Sequence, residues 1–189
     1  ADCVKLGIRE LAGGPVDLVV SGINRGANVG INVLYSGTVS AATEAAILGV
    51  PAMAVSLDTH READYTVAAK VARRLAAWMT NNGLGRGVAL NVNVPALPED
   101  RIRGFAVARQ GRARLMESFE RRVDPREHEY YWLAGETQLA VDEEPDSERS
   151  RPLHVSVAAV VVVARGVVEQ AQTEPAGTEG ERLGVIPVV

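Results

Sequence analysis

The stretch from Asp17 to Gly49, DLVVSGINRGANVGINVLYSGTVSAATEAAILG, restricts the chain to few folds. It opens on a wholly apolar run, Leu18-Val19-Val20, which suits a parallel strand buried on both faces, and closes on an alanine-rich segment of helical composition. Between them lies a polar loop of about twenty residues, a length that compact domains reserve mostly for function. In it Ser21, Asn24, Asn28, Asn32, Ser36 and Thr38 are interleaved with Gly22, Gly26, Gly30 and Gly37. Glycines let a ligand approach backbone amides closely, and short amides and hydroxyls supply oxygen ligands and donors. A loop leaving the carboxyl end of a strand and entering a helix N-terminus favours an oxyanion such as phosphate. A single Asn-x-Gly is ordinary turn chemistry. The length of this polar segment between two apolar elements favours the functional reading.

SGINRGANVG, followed by YSGTVSAATEAAILGVPAMAVSLD, resembles the central motif region of the SurE family, the metal-dependent 5′(3′)-nucleotidases also called stationary-phase survival proteins. Asp2-Cys3-Val4-Lys5, LNVNVP at Leu90 to Pro95, and the segment from Arg109 to Glu136 with YYWLAGE carry the resemblance through residues 1–136. It implies an α/β fold, a Rossmann-like three-layer parallel sheet with a C-terminal β-hairpin arm, and assembly as a homodimer or homotetramer. It also implies a phosphomonoesterase that converts nucleoside 5′- and 3′-monophosphates to nucleoside and phosphate with a divalent cation, Mg²⁺ or Mn²⁺. On this resemblance Asn24 is a metal ligand, and Asn28, Ser36, Gly37 and Thr38 cradle the phosphate at the helix N-terminus. Family members begin with a strand ending in an Asp-Asp pair, which supplies most of the metal ligands. No Asp-Asp pair occurs in this sequence, so the chain reads as trimmed before its first strand, and no catalytic residue is assigned. The alternative is a module that binds phosphate or a nucleotide without hydrolysing it. A redox dinucleotide site fits worse, since GxNxG lacks the GxGxxG turn.

Hydrophobic content of 47% against 23% charged suits a globular chain, and a net charge of −4 offers no broad attraction to a nucleic-acid polymer. The one cysteine, Cys3, excludes an intrachain disulfide and a cysteine zinc site; a buried, inert thiol in a cytoplasmic protein is expected. The first residues, ADCVKLGIRE, alternate charged and apolar positions, unlike a secretory leader. The most apolar window, Val155 to Val168, is too short to span a bilayer and holds Arg165, so no membrane partner is expected.

The remaining elements follow from periodicity. A helix is expected from Cys3 to Leu11 with Asp2 as N-cap, and a buried strand from Ala52 to Leu57 ending at Asp58-Thr59-His60, where His60 reads as a solvated loop residue. Val67, Val71, Leu75 and Trp78 mark the inward face of a helix over Asp64 to Asn81. Val88 to Val94 is a strand whose Asn91 and Asn93 share one face in a structural role, and Pro95 and Pro98 close the core. This divides the chain into a core at 1–100, a hairpin arm at 101–141, and a divergent, partly disordered tail at 142–189. In the arm, Arg109, Arg112 and Arg114 read as a solvated face, Arg121 to Arg126 as a strand end and turn, and Tyr130-Tyr131-Trp132 as an interface strand. In the tail, Asp142 to Ser150 reads as a linker, Thr173 to Arg182 as poorly ordered, and the valine-rich run as lacking a partner.

Overall fold

Apolar runs alternate with helical segments, and the chain winds accordingly into strand, helix, strand. A computed structural model describes residues 1–111, 118–134, 152–161 and 185–186. A first helix, α1 (Asp2–Leu6), continues as a wider turn through Leu11 and precedes β1 (Val19–Arg25). Then come α2 (Asn32–Tyr35), α3 (Gly37–Ile47), β2 (Ala52–Asp58), α4 (Thr66–Asn82) and β3 (Val88–Pro95). Beyond them lie β4 (Phe105–Ala108), the pair β5 (Ser118–Val123) and β6 (Glu129–Ala134), β7 (Val155–Val161) and β8 (Val185–Ile186).

Strands β1, β2 and β3 are parallel neighbours, as βα repeats require. Beyond β3 the sheet continues with β7, antiparallel to β3, then β4, parallel to β7, and β8, antiparallel to β4. Among the described residues the order is β1-β2-β3-β7-β4-β8, and β5 and β6 form a separate hairpin.

β2 is buried from Ala52 to Leu57, and its alternation sorts two cores. Met53, Val55 and Leu57, with Leu90, Val92 and Val94 of β3, meet Ala68, Val71 and Met79 of α4. Each such fully buried Met or Leu side chain contributes about 1.5–3 kcal/mol. On the other face Ala52, Ala54 and Ala89 meet Ala42, Ala45 and Ala46 of α3, small residues that let helix and sheet approach closely. Because α3 connects two parallel strands, it runs back against them. Its N-terminus therefore lies at their carboxyl edge.

Several expectations need correction. Asp2 is not an N-cap: the Ala1 carbonyl already accepts from Val4 and Lys5, so Asp2 is itself helical. Cys3 is exposed, because α1 and the wider turn after it direct Val4 and Ile8 toward α3 instead. Trp78 is 46% exposed, since Met79 takes the buried position in that turn of α4. The polar segment is not one long loop: Ser21 to Arg25 extend β1, and Asn32 to Tyr35 form α2. The described part of the valine-rich run, Val155–Val161, does have partners, for β7 lies between β3 and β4. The sheet thus takes in strands from both sides of the boundary read at residue 100. Residues 142–150 and 173–182, and Arg112 and Arg114, lie outside the described residues.

Candidate functional site

One row of side chains crosses the carboxyl edge of the parallel strands. Asn24 of β1 is in register with Ser56 of β2, Ser56 with Asn93 of β3, and Asn93 with Ser156 of β7. Register partners share a face, and Ser56 and Asn93 alternate with the residues facing α4. The row therefore lies on the α3 side, beyond the alanines that α3 covers.

Asn28 rests on this row and is only 6% exposed. Its backbone N–H donates to Asn93 Oδ1 at 2.8 Å, and its side-chain Nδ2 donates to Ser56 Oγ at 2.7 Å. Its carbonyl accepts from Asn91 Nδ2 at 2.8 Å and from Asn93 Nδ2 at 3.1 Å. Four hydrogen bonds to two neighbouring strands fix one loop residue. Buried amides and hydroxyls are tolerated only when so paired, and the pairing in turn pins the loop over the sheet edge. Gln110 adds a tie further on, donating from Nε2 to the Gly30 carbonyl at 2.9 Å.

Asn24 is half-buried, and its Nδ2 donates to the Gly26 carbonyl at 2.9 Å. The amide orientation is thereby set, leaving Oδ1 as the atom that could ligate a cation. Gly26 N–H in turn donates to the Leu57 carbonyl at 2.9 Å, which fastens the turn after β1 to the end of β2. His60 closes over that turn: a Cβ on Gly26 would stand 3.3 Å from His60 Cε1.

Ser36 is the N-cap of α3, accepting at Oγ from Val39 N–H at 3.1 Å. One of the amides at the helix start is thereby satisfied. Gly37 is exposed, and a Cβ added there would meet nothing within 4 Å. The first turn, at Gly37 and Thr38, thus opens to solvent with the positive end of the helix dipole behind it. Capped but uncovered, it can receive an anion.

The expected phosphate residues therefore occupy two layers: Ser36, Gly37 and Thr38 at the helix start, and Asn28 in the polar layer on the sheet. Asn91 and Asn93 have the structural role expected of them, and His60 is exposed. Ser56, Ser156 and Gln110 were not anticipated. A lone serine in the otherwise apolar run AMAVSL was the available signal for Ser56, since a hydroxyl in a buried strand requires a partner. Nothing local could have pointed to Ser156 or Gln110, whose neighbours are distant in sequence.

Among the described residues no group of three or more His, Cys, Asp or Glu comes together as a metal site. No helix among them is long and apolar enough to cross a membrane.

Comparison with known proteins bears on this arrangement. A family model described as survival protein SurE matches residues 1–117. The chain is 69% identical over 150 residues to the 5′-nucleotidase SurE of Syntrophus aciditrophicus, covering 79% of this chain and 56% of that protein. It is 54% identical over 143 residues to the 5′-nucleotidase SurE of Syntrophobacter fumaroxidans, covering 76% and 57%. The crystal structure of the SurE protein from Aquifex aeolicus superposes with a TM-score of 0.71 at 36% identity, covering 87% of this chain and 67% of that one. The chain thus spans 56–57% of the length of these two curated relatives.

Proposed function

The chain belongs to the SurE family, and on that premise we propose that its polar edge binds the phosphate of a nucleoside monophosphate and serves hydrolysis of the phosphomonoester. The carrying observation is the open, Ser36-capped start of α3 standing at the carboxyl edge of the sheet that holds the Asn28 layer. A phosphate there receives the Gly37 and Thr38 amides and the Thr38 hydroxyl. These donors stabilise the charge that grows on its oxygens as the ester bond breaks. Asn28, held from beneath, keeps the loop from collapsing into the space. The same geometry accepts a 5′- or a 3′-phosphate, because it recognises the phosphoryl group and not its point of attachment.

The family implies a divalent cation, Mg²⁺ or Mn²⁺, with Asn24 as a ligand. The described residues offer it one neutral amide oxygen and no cluster of carboxylates, which does not by itself amount to a site for a hard dication. No step is therefore assigned to the metal, and the residues named above are given only binding and orientation.

Release of inorganic phosphate from 5′-AMP tests the proposal alongside thermal stabilisation by phosphate. Release that falls at least tenfold in Thr38→Val, as loss of an oxyanion donor predicts, is the expected result. Stabilisation by phosphate without release would assign the edge to binding alone. Absence of both release and stabilisation overturns the proposal.

A further inference from the structure

A crevice of about 370 Å³ opens on the α4 side of the same sheet edge. Leu57, Val67, Pro95 and Leu97 form its apolar walls, and the exposed acidic residues Glu62 and Asp64 line it as well. The volume lies in the range of about 300–1,000 Å³ typical of small-molecule pockets. It adjoins the polar edge directly: the Leu57 carbonyl accepts from Gly26 N–H at 2.9 Å, and the Gly26 carbonyl accepts from Asn24. His60, packed on Gly26, begins the loop that carries Glu62 and Asp64. A larger cavity of about 400 Å³, walled by Trp78, Phe105 and Val157, has no such link to the polar edge.

We propose that this crevice is the nucleoside subsite of the phosphomonoesterase reading, on which the proposal rests, with Glu62 as the acceptor for the ribose hydroxyls. A flat base needs apolar walls, supplied by the Pro95–Pro98 loop and Leu57, and a sugar diol needs an acceptor. Asp64 is already engaged, taking Thr66 N–H at 2.9 Å at the start of α4, and so braces the loop. Glu62 makes no hydrogen bond or ion pair to the described residues, and its carboxylate remains available. Two carboxylates also repel phosphate, so the ligand is oriented with its nucleoside in the crevice and its phosphate across the edge at α3. A second phosphate on the same sugar would meet Glu62 and Asp64. The subsite therefore selects monophosphates over a polymer backbone.

Binding of radiolabelled adenosine to this chain, measured by equilibrium dialysis, tests the subsite without requiring turnover. Adenosine should bind about tenfold more tightly than 2′,3′-dideoxyadenosine, as loss of hydrogen bonds to a charged acceptor predicts. Glu62→Gln should remove most of that difference. Ala96→Trp, which fills the crevice from its rim, should weaken adenosine at least tenfold while inorganic phosphate binds as before. Equal binding of the two nucleosides by the parent chain, or adenosine binding untouched by Ala96→Trp, overturns the proposal. Absence of phosphate release from 5′-AMP would instead sink the phosphomonoesterase reading and leave the adenosine result to stand by itself.

Discussion

Gly22 and Gly37 flank the same polar segment but serve different ends. A Cβ on Gly22 would stand 2.3 Å from the Val55 carbonyl oxygen, at a φ of +126°, where β1 pairs with β2. Backbone meets backbone there, so the contact can be relieved only by moving the strands apart. Gly22→Ala should cost on the order of 3 kcal/mol in chemical denaturation. Gly37→Ala should stay within about 0.5 kcal/mol, because its Cβ enters open space. Equal losses in the two variants would refute this division of roles. Both glycines read alike in the sequence, as places where a ligand meets the backbone. What separates them is the register of β1 on β2, which no local pattern encodes. Asn91 and Asn93 were more legible: alternation alone put them on one face of a buried strand, where unpaired amides are too costly to leave.

The β5–β6 hairpin was legible as an element and underdetermined as a surface. Polarity alternation and the turn residues Asp124-Pro125 located it, and the turn is held as they suggest. Asp124 Oδ1 accepts from His128 N–H and from Arg126 N–H, each at 2.8 Å. The His128 backbone hydrogen bond chiefly, with those from Arg126 and the His128 ring, holds the Asp124 carboxyl below its ordinary 3.8. A carboxylate depressed in the folded state adds stability that is complete above its unfolded value and is lost as pH falls through the folded one. The turn should therefore loosen only below pH 3.8, and a carboxyl NMR titration of Asp124 should show its midpoint there. A midpoint at or above the ordinary value would remove Asp124 from the turn's support. Phe119, Tyr131 and Leu133 lie on one face of the hairpin, at 68%, 66% and 55% exposure. Two strands alone are marginal in water, so a face this apolar fits the homodimer or homotetramer that the family resemblance implies. The double variant Tyr131→Ser, Leu133→Ser should shift sedimentation toward the monomer at micromolar concentration, and an unchanged mass would place the interface elsewhere.

Across the whole molecule, legibility ends where pairing becomes remote. Each of β1, β2 and β3 is an apolar run followed by its own helix or loop, so the parallel half could be read along the chain. Strand β7 could not: its neighbours β3 and β4 precede it by tens of residues, and a valine-rich run without a nearby mate resembles an orphan. In the fold it occupies an interior position, with Val155 and Ala158 fully buried and six residue pairs to β3 from Val88 to Asn93. Ending the chain at Ser150 would expose the length of β3 as an edge and leave β4 without its parallel partner. Removing an interior strand forfeits the burial on both its faces and two rows of ladder hydrogen bonds. That loss is comparable with the entire stability of about 5–15 kcal/mol usual for a domain. The shortened chain should lose its cooperative thermal transition, bind a hydrophobic dye and associate through the opened β3 edge. The polar row should fail with it, because Asn93 is set by the strand that β7 covers and Asn28 is set by Asn93. A cooperative transition with an unchanged midpoint in the shortened chain would show instead that β1 to β3 and their helices form a self-sufficient unit, and that β7 merely lies against it.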